Sequence, residues 1–165
     1  MPPMDALAPP SLSPLCRLEV NVGPPIELGR VADGVRRIIP ITGGTVTGVE
    51  RAEGTLSGVV LPGGADFQVL RSDTLTELEA RYAVETEDGE RIWVTNLGIR
   101  TGEAQDIAAL VRGESVPHDR IYFRCTPRMQ SSGPRWAWLA GRILVGTGRR
   151  TPDAVHLDIS WSTDD

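Results

Sequence analysis

Over residues 75–87 the chain alternates without a break. Leu78, Ala80, Tyr82 and Val84 fall on one side, and Glu77, Glu79, Arg81, Ala83 and Glu85 on the other. A period of two over that length marks a strand with two unlike faces. Asp88-Gly89 follows, a dipeptide that tight hairpin turns favour because glycine takes a positive φ without strain. Residues 90–98 then return with Ile92 and Val94 opposite Arg91, Trp93 and Thr95. A chain built round this hairpin is committed to antiparallel sheet.

The same reasoning extends along the chain. Cys16, Leu18, Val20 and Val22 alternate with Arg17, Glu19 and Asn21 until Gly23-Pro24-Pro25 stops the strand. Residues 35–41 form a second apolar run, interrupted by Arg36 and Arg37. After Gly43-Gly44, residues 45–50 read either as a third strand or as the second one continued past a bulge. Residues 55–61 lead into the corner Leu61-Pro62-Gly63-Gly64-Ala65-Asp66-Phe67, and residues 66–71 leave it. The helix-like window is 103–112, with Ile107, Ala108, Leu110 and Val111 on one face and Gly113 just beyond. Strands are expected at 120–128, 135–146 and 154–163; in the second, Trp136, Trp138 and Arg142 share one face, and Ala137, Leu139, Ile143 and Val145 the other.

About ten strands at hairpin spacing with one short helix predict an all-β fold, an antiparallel β-barrel. Closure removes the exposed edges that a meander would otherwise leave, and the spacing of an immunoglobulin sandwich is absent. Residues 1–14, proline-rich and without periodicity, read as a flexible tail, and 15–165 as a single barrel domain.

Charge and composition exclude chemistry. The net charge is -5 and no basic cluster exceeds a pair, so no nucleic-acid partner is expected. All 17 basic residues are arginine, which rules out a Schiff-base lysine, a pyridoxal attachment site and a phosphate-loop lysine. Cys16 and Cys125 lie far apart in apolar runs and read as buried free thiols; His118 and His156 belong to no ligand cluster, so neither metal nor cofactor is expected. No apolar run approaches about 18 residues and no signal-peptide pattern opens the chain, which predicts a soluble, cytoplasmic protein without a membrane partner.

The corner supplies the candidate chemistry. Pro62 presets its own φ, so Gly63 or Gly64 is expected at φ > 0, and Asp66 then opens the outgoing strand. Asp66 reads as a general acid or base at a cavity mouth, or as a turn aspartate whose oxygens accept backbone N–H bonds. Arg81 and Tyr122 are the candidate catalytic partners, and Phe67, Glu79, Arg124 and Trp138 the candidate ligand contacts. Arg81 and Trp138 are expected to point into the barrel, where arginine would clamp an anionic ligand; otherwise Arg81 with Glu79 and Glu85 forms a solvated charge ladder. On that reading the Leu78-Ala80-Tyr82-Val84 face packs against the helix or a partner subunit. No GxSxG elbow is present, and spacing assembles no Ser/His/Asp triad.

Ile41-Thr42-Gly43-Gly44-Thr45, Leu61-Pro62-Gly63-Gly64-Ala65-Asp66, Glu79-Ala80-Arg81-Tyr82, Asp88-Gly89 and Trp138-Leu139 occur in that order. This ordered set resembles the family catalogued as domain of unknown function 3237, over roughly residues 15–162. The chain departs from the family pattern in carrying Phe67 where tryptophan is usual and Trp136 where tyrosine is common. The resemblance implies a cytosolic single-domain barrel with a central pocket, often a small homo-oligomer, and no settled activity. With lysine, metal cluster and nucleotide loop excluded, the expected function is small-molecule binding with cofactor-free acid/base catalysis on an organic metabolite, as an isomerase, cyclase or lyase. A ligand carrier without turnover is the alternative.

Overall fold

Two strands of this protein are interrupted without ending, and that accounts for ten strands forming an eight-lane barrel. The computed structural model describes residues 4–52 and 54–164. The strands are β1 (Leu12–Val22), β2 (Ile26–Val31), β3 (Gly34–Gly48), β4 (Gly58–Val60), β5 (Ala65–Ser72), β6 (Leu75–Thr86), β7 (Arg91–Gly102), β8 (Ile121–Ser131), β9 (Leu144–Arg150) and β10 (Ala154–Ser162), with helix α1 (Ala104–Val111) between β7 and β8. All pairings are antiparallel. The ring runs β1, β10, β9, β8, β7, β6, the shared lane of β4 and β5, then β3, which pairs back onto β1.

The first interruption is Gly23-Pro24-Pro25. β1 pairs with the second half of β3, and β2 resumes the same lane against its first half. The second is the central corner. Val60 lies opposite Val84 and Ala65 opposite Arg81, so a step of five residues on one strand faces a step of three on its neighbour. The corner is therefore a two-residue outward bulge in one lane. Gly63 sits at φ 107°, as the turn requires, whereas a Cβ on Gly64 would lie 2.4 Å from the Arg81 carbonyl oxygen. One glycine supplies conformation and the other supplies space.

The Asp88-Gly89 hairpin joins β6 to β7, which pair from Leu75–Thr101 to Glu85–Arg91. β3 runs unbroken through Gly43-Gly44, with its register against β1 shifting there, so the run at 45–48 continues the earlier strand past an irregularity. Ile26–Val31, which carries no alternation, is a strand nonetheless; it is exposed throughout and held by pairing with β3.

One expected strand is not formed as such. Residues 137–141 make a 3-10 turn, and β9 begins only at Leu144. The cause is Glu90, whose carboxylate accepts the backbone N–H of Arg135 at 3.1 Å and of Trp136 at 3.2 Å, and the Ser131 hydroxyl at 2.8 Å. With those amides taken by a side chain, the segment folds back across the barrel end. Trp136 becomes fully buried there, with Leu139, Leu15, Leu56, Ile92 and Leu144.

At the opposite end α1 buries Ile107 and Leu110. It is tied down by Asp106 to Arg120 at 2.6 Å and by the Arg37 guanidinium donating to the Val111 carbonyl at 3.2 Å. Among the described residues no helix is long and apolar enough to cross a membrane.

Candidate functional site

The inward face is the apolar one. On β6, Leu78, Tyr82 and Val84 are buried, and Ala80 packs against the same core. Arg81 therefore points outward, correcting the expectation that it lines the interior. An eight-stranded barrel is just wide enough for side chains to fill, so the stripe that gains most from burial takes the inside. On the outer wall Arg81 pairs with Glu79 at 2.7 Å, both well exposed, which is the solvated ladder.

The other candidates divide in the same way. Tyr122 is 55% exposed on the outer face of β8, with the Arg124 guanidinium 4.9 Å from its ring centre. Arg124 is exposed, and Phe67, adjacent to Asp66 and so of opposite parity, is 39% exposed. Trp138 is half-buried in the 3-10 turn at the apolar end, 6.4 Å from Trp136 and 5.2 Å from Trp161 between ring centres. The structure thus brings Arg81 to Glu79 and Tyr122 to Arg124 on the outside, packs Trp138 against the core at the apolar end, and leaves Asp66 as the one of the seven that lines an interior cavity.

Asp66 lines a cavity of about 40 Å³ enclosed by β1, β3, β5–β10, with Gln68, Tyr82, Asn96, Phe123, Cys125 and Arg150 among its walls. One carboxylate oxygen accepts the Glu79 backbone N–H at 3.1 Å, and the other accepts the Gln68 amide at 2.8 Å. Asp66 is at once the ladder acceptor that a turn aspartate tends to be and a cavity-lining acid. Burial pushes its carboxyl above the usual range, against the opposing pull of the Gln68 bond, the Arg100 charge, the Glu79 N–H and the Arg150 charge.

Sequence reasoning missed the polar groups round it. Arg37, Gln68, Asn96 and Arg100 are all buried, and Arg150 is half-buried at a strand end. Arg37 is answered by Glu27 at 2.9 Å, and Arg150 donates to the carbonyls of Thr151 and Ala154. Arg100 lies 5.6 Å over the Phe123 ring and borders a second cavity of about 10 Å³ that shares Phe123 and Arg150 with the first. Burial lowers its pKa to about 10, so it stays cationic at neutral pH.

The signal for these residues was the alternation itself. Ile92 and Val94 point inward, and further steps of two along β7 reach Asn96, Gly98 and then Arg100. Polar residues that continue an apolar parity mark a polar interior.

Chemically, the cavity offers one acid, whose carboxyl burial pushes above its ordinary value. The Cys125 thiol is pushed up by burial, opposed by hydrogen bonds from Asn96 and the Gly146 N–H, and the Tyr82 phenol is pushed up by burial as well, so neither supplies an anionic nucleophile. Asp66 is thus a buried carboxyl on which the charges of Arg100 and Arg150 act.

The chain belongs to the family described as protein of unknown function (DUF3237), whose profile matches residues 10–161. It is 45% identical over 142 residues to a UPF0311 protein of Rhodopseudomonas palustris, covering 86% of this chain and 90% of that one. A crystal structure of a conserved R. palustris protein of unknown function superposes with a TM-score of 0.86 at 39% identity, over 96% of this chain and all of that one. A β-barrel-like protein from Acinetobacter baumannii gives 0.81 at 36% identity, over 97% and 100%. An enzyme from Penicillium herquei gives 0.66 at 19% identity, over 94% and 98%, a likeness of fold alone.

Proposed function

We propose that this protein binds a small organic molecule inside the barrel and moves a proton on it without a cofactor, Asp66 serving as the acid or base. The observation that carries this reading is the placement of Asp66. It is the one carboxylate that lines this cavity, and burial holds it partly toward the neutral form. An acid whose pKa lies nearer the working pH is better suited to giving and taking a proton in turn. Gln68 and the Glu79 N–H hold its oxygens, so its orientation is preset. Isomerisation, cyclisation and lyase steps can each be assisted by such a transfer, the bond made or broken being the substrate's own. The side chains of Arg81, Tyr122, Phe67, Glu79 and Arg124 have no part in this reading, because they lie on the outer wall.

The test is proton exchange. The small-molecule fraction of a bacterial extract is incubated with the protein in D2O and read by mass spectrometry. The expected result is enzyme-dependent incorporation of deuterium into at least one compound, lost in Asp66→Asn. A compound retained by both proteins and returned without deuterium would sink the catalytic reading and leave a carrier.

A further inference from the structure

Arg100 is 2% exposed, and its Nε and Nη1 meet no hydrogen-bond acceptor among the described residues. A guanidinium has five donors and cannot shed its charge, so burying it without an acceptor is costly. The other interior arginines are answered: Arg37 by Glu27, Arg150 by two carbonyls. Two buried acceptors nearby are also unmet, Oε1 of Gln68 and Oδ1 of Asn96. Both residues line the main cavity with Asp66. Arg100 is not a wall of that cavity but borders the smaller one, which shares Phe123 and Arg150 with it, so the interior carries an unanswered cation beside one cavity and two unanswered acceptors in the other.

Asp66 does not settle the account. It acts on Arg100 only through space, since both its oxygens are engaged by Gln68 and Glu79. If Asp66 alternates between protonated and ionised forms, the interior lacks one full negative charge in half of its cycle.

We propose that Arg100 anchors the carboxylate of a compact hydroxycarboxylic acid, whose hydroxyl donates to the amide oxygen of Gln68 or of Asn96. This rests on the reading of Asp66 as the acid/base group, and names the substrate class for it. A carboxylate supplies the missing charge, and a hydroxyl supplies a donor for one of the two amide oxygens. Size restricts the choice. The main cavity holds about 40 Å³ and the small one at Arg100 about 10 Å³, together room for about four waters, so the anchored part is a two- or three-carbon unit. Any longer chain leaves past Val22, Arg150 and Val155, which lie at strand ends.

The probe is glycolate, with glycolamide as its neutral counterpart. Both are titrated into the full chain while the arginine Nε–H signals are followed by 15N–1H NMR, and Arg100 is assigned by the signal missing from Arg100→Met. Glycolate is expected to shift the Arg100 signal saturably, and glycolamide to leave it in place. The half-saturating glycolate concentration, read from thermal stabilisation, should rise at least about tenfold in Arg100→Met and stay unchanged in Arg124→Met on the outer wall. An Arg100 signal that does not move, or one that moves equally with glycolamide, overturns the proposal, as does glycolate stabilisation that survives in Arg100→Met. If that variant does not fold, the wild-type titration decides alone and the signal is assigned with Arg100→Lys. Asp66→Asn separates the two ideas: it should bind glycolate at least as tightly as wild type, since it lacks the competing carboxylate. An anchored glycolate without deuterium exchange anywhere retires proton transfer and keeps the anchor; exchange without an anchored carboxylate does the reverse.

Discussion

The two ends of this barrel are made by the same strands and filled in opposite ways. At one, Trp136, Leu139, Leu15, Leu56, Ile92 and Leu144 are each at most 1% exposed. Towards the other, Arg37, Asp66, Gln68, Thr76, Asn96 and Arg100 are all buried, and Thr76 Oγ1 joins the atoms without partners. The change is visible within β7, from Ile92 and Val94 to Asn96 and Arg100. The apolar end also leaves the indole N–H groups of Trp136, Trp138 and Trp161 without an acceptor and buries the Glu90 carboxylate, so the ends differ in how a buried charge is met: Glu90 accepts three hydrogen bonds, whereas Arg100 Nε and Nη1 find no acceptor. The lesson is a division of labour. Apolar burial at one end supplies stability that tolerates the desolvated charges at the other, where local rules are broken.

The strongest way to break this comparison is to hollow out the apolar end. Trp136→Ala removes a fully buried indole and should cost about 3–5 kcal/mol in denaturant unfolding, while glycolate titration of the folded fraction is unaffected. A loss of binding in parallel would show that the two ends are coupled.

A smaller effect is expected at the corner between them. Gly63→Val places a β-branched residue at φ 107° and should cost about 1–3 kcal/mol. A Cβ there meets nothing within 4 Å, so the loss comes from backbone strain alone. Gly64→Ala tests the other cause, since its Cβ would meet Tyr82 Cβ at 2.5 Å. Urea titrations of the two variants should therefore part at the cavity: Gly64→Ala perturbs Tyr82 and ligand response, Gly63→Val only stability.

The smallest expected effect sharpens the polar side. The folded state raises the Asp66 carboxyl above its ordinary value, so the fold favours the protonated form. Its contribution is fully present below the unfolded pKa, about 3.9, and is lost as pH rises through the folded value. Asparagine carries no such dependence, and the Gln68 amide can turn so that its unmet Oε1 accepts from it. The melting temperature of Asp66→Asn should therefore gain on wild type as pH rises from 4 to 7, by on the order of a degree or two. A gap that narrows with rising pH would mean that Asp66 is held ionised by its arginines.

The hairpin at Asp88-Gly89, the helix window and the corner with a positive-φ glycine were legible because each is written in a few consecutive residues. Asp66 was legible as an acid beside that corner. The strand expected at 135–146 was misread because its amides are claimed by Glu90, 45 and 46 positions away for Arg135 and Trp136, a contact that no local pattern reveals. Arg81 and Tyr122 were attractive because they are the chemically versatile residues on clean strands, but chemistry says nothing about parity.

By itself the sequence determined that the chain alternates, where it turns, and that lysine chemistry is closed to it, since these follow from residue type and near neighbours. It did not determine which face closes inward. That depends on eight lanes meeting in a ring, whose narrow interior selects the apolar stripe and carries along whatever polar residues share its parity. Asn96 and Arg100 are buried for that reason, brought there by the register of strands far apart in sequence. The candidate site is accordingly a property of the closed barrel, assembled from β3, β5, β7 and β9, and no single stretch of the chain contains it.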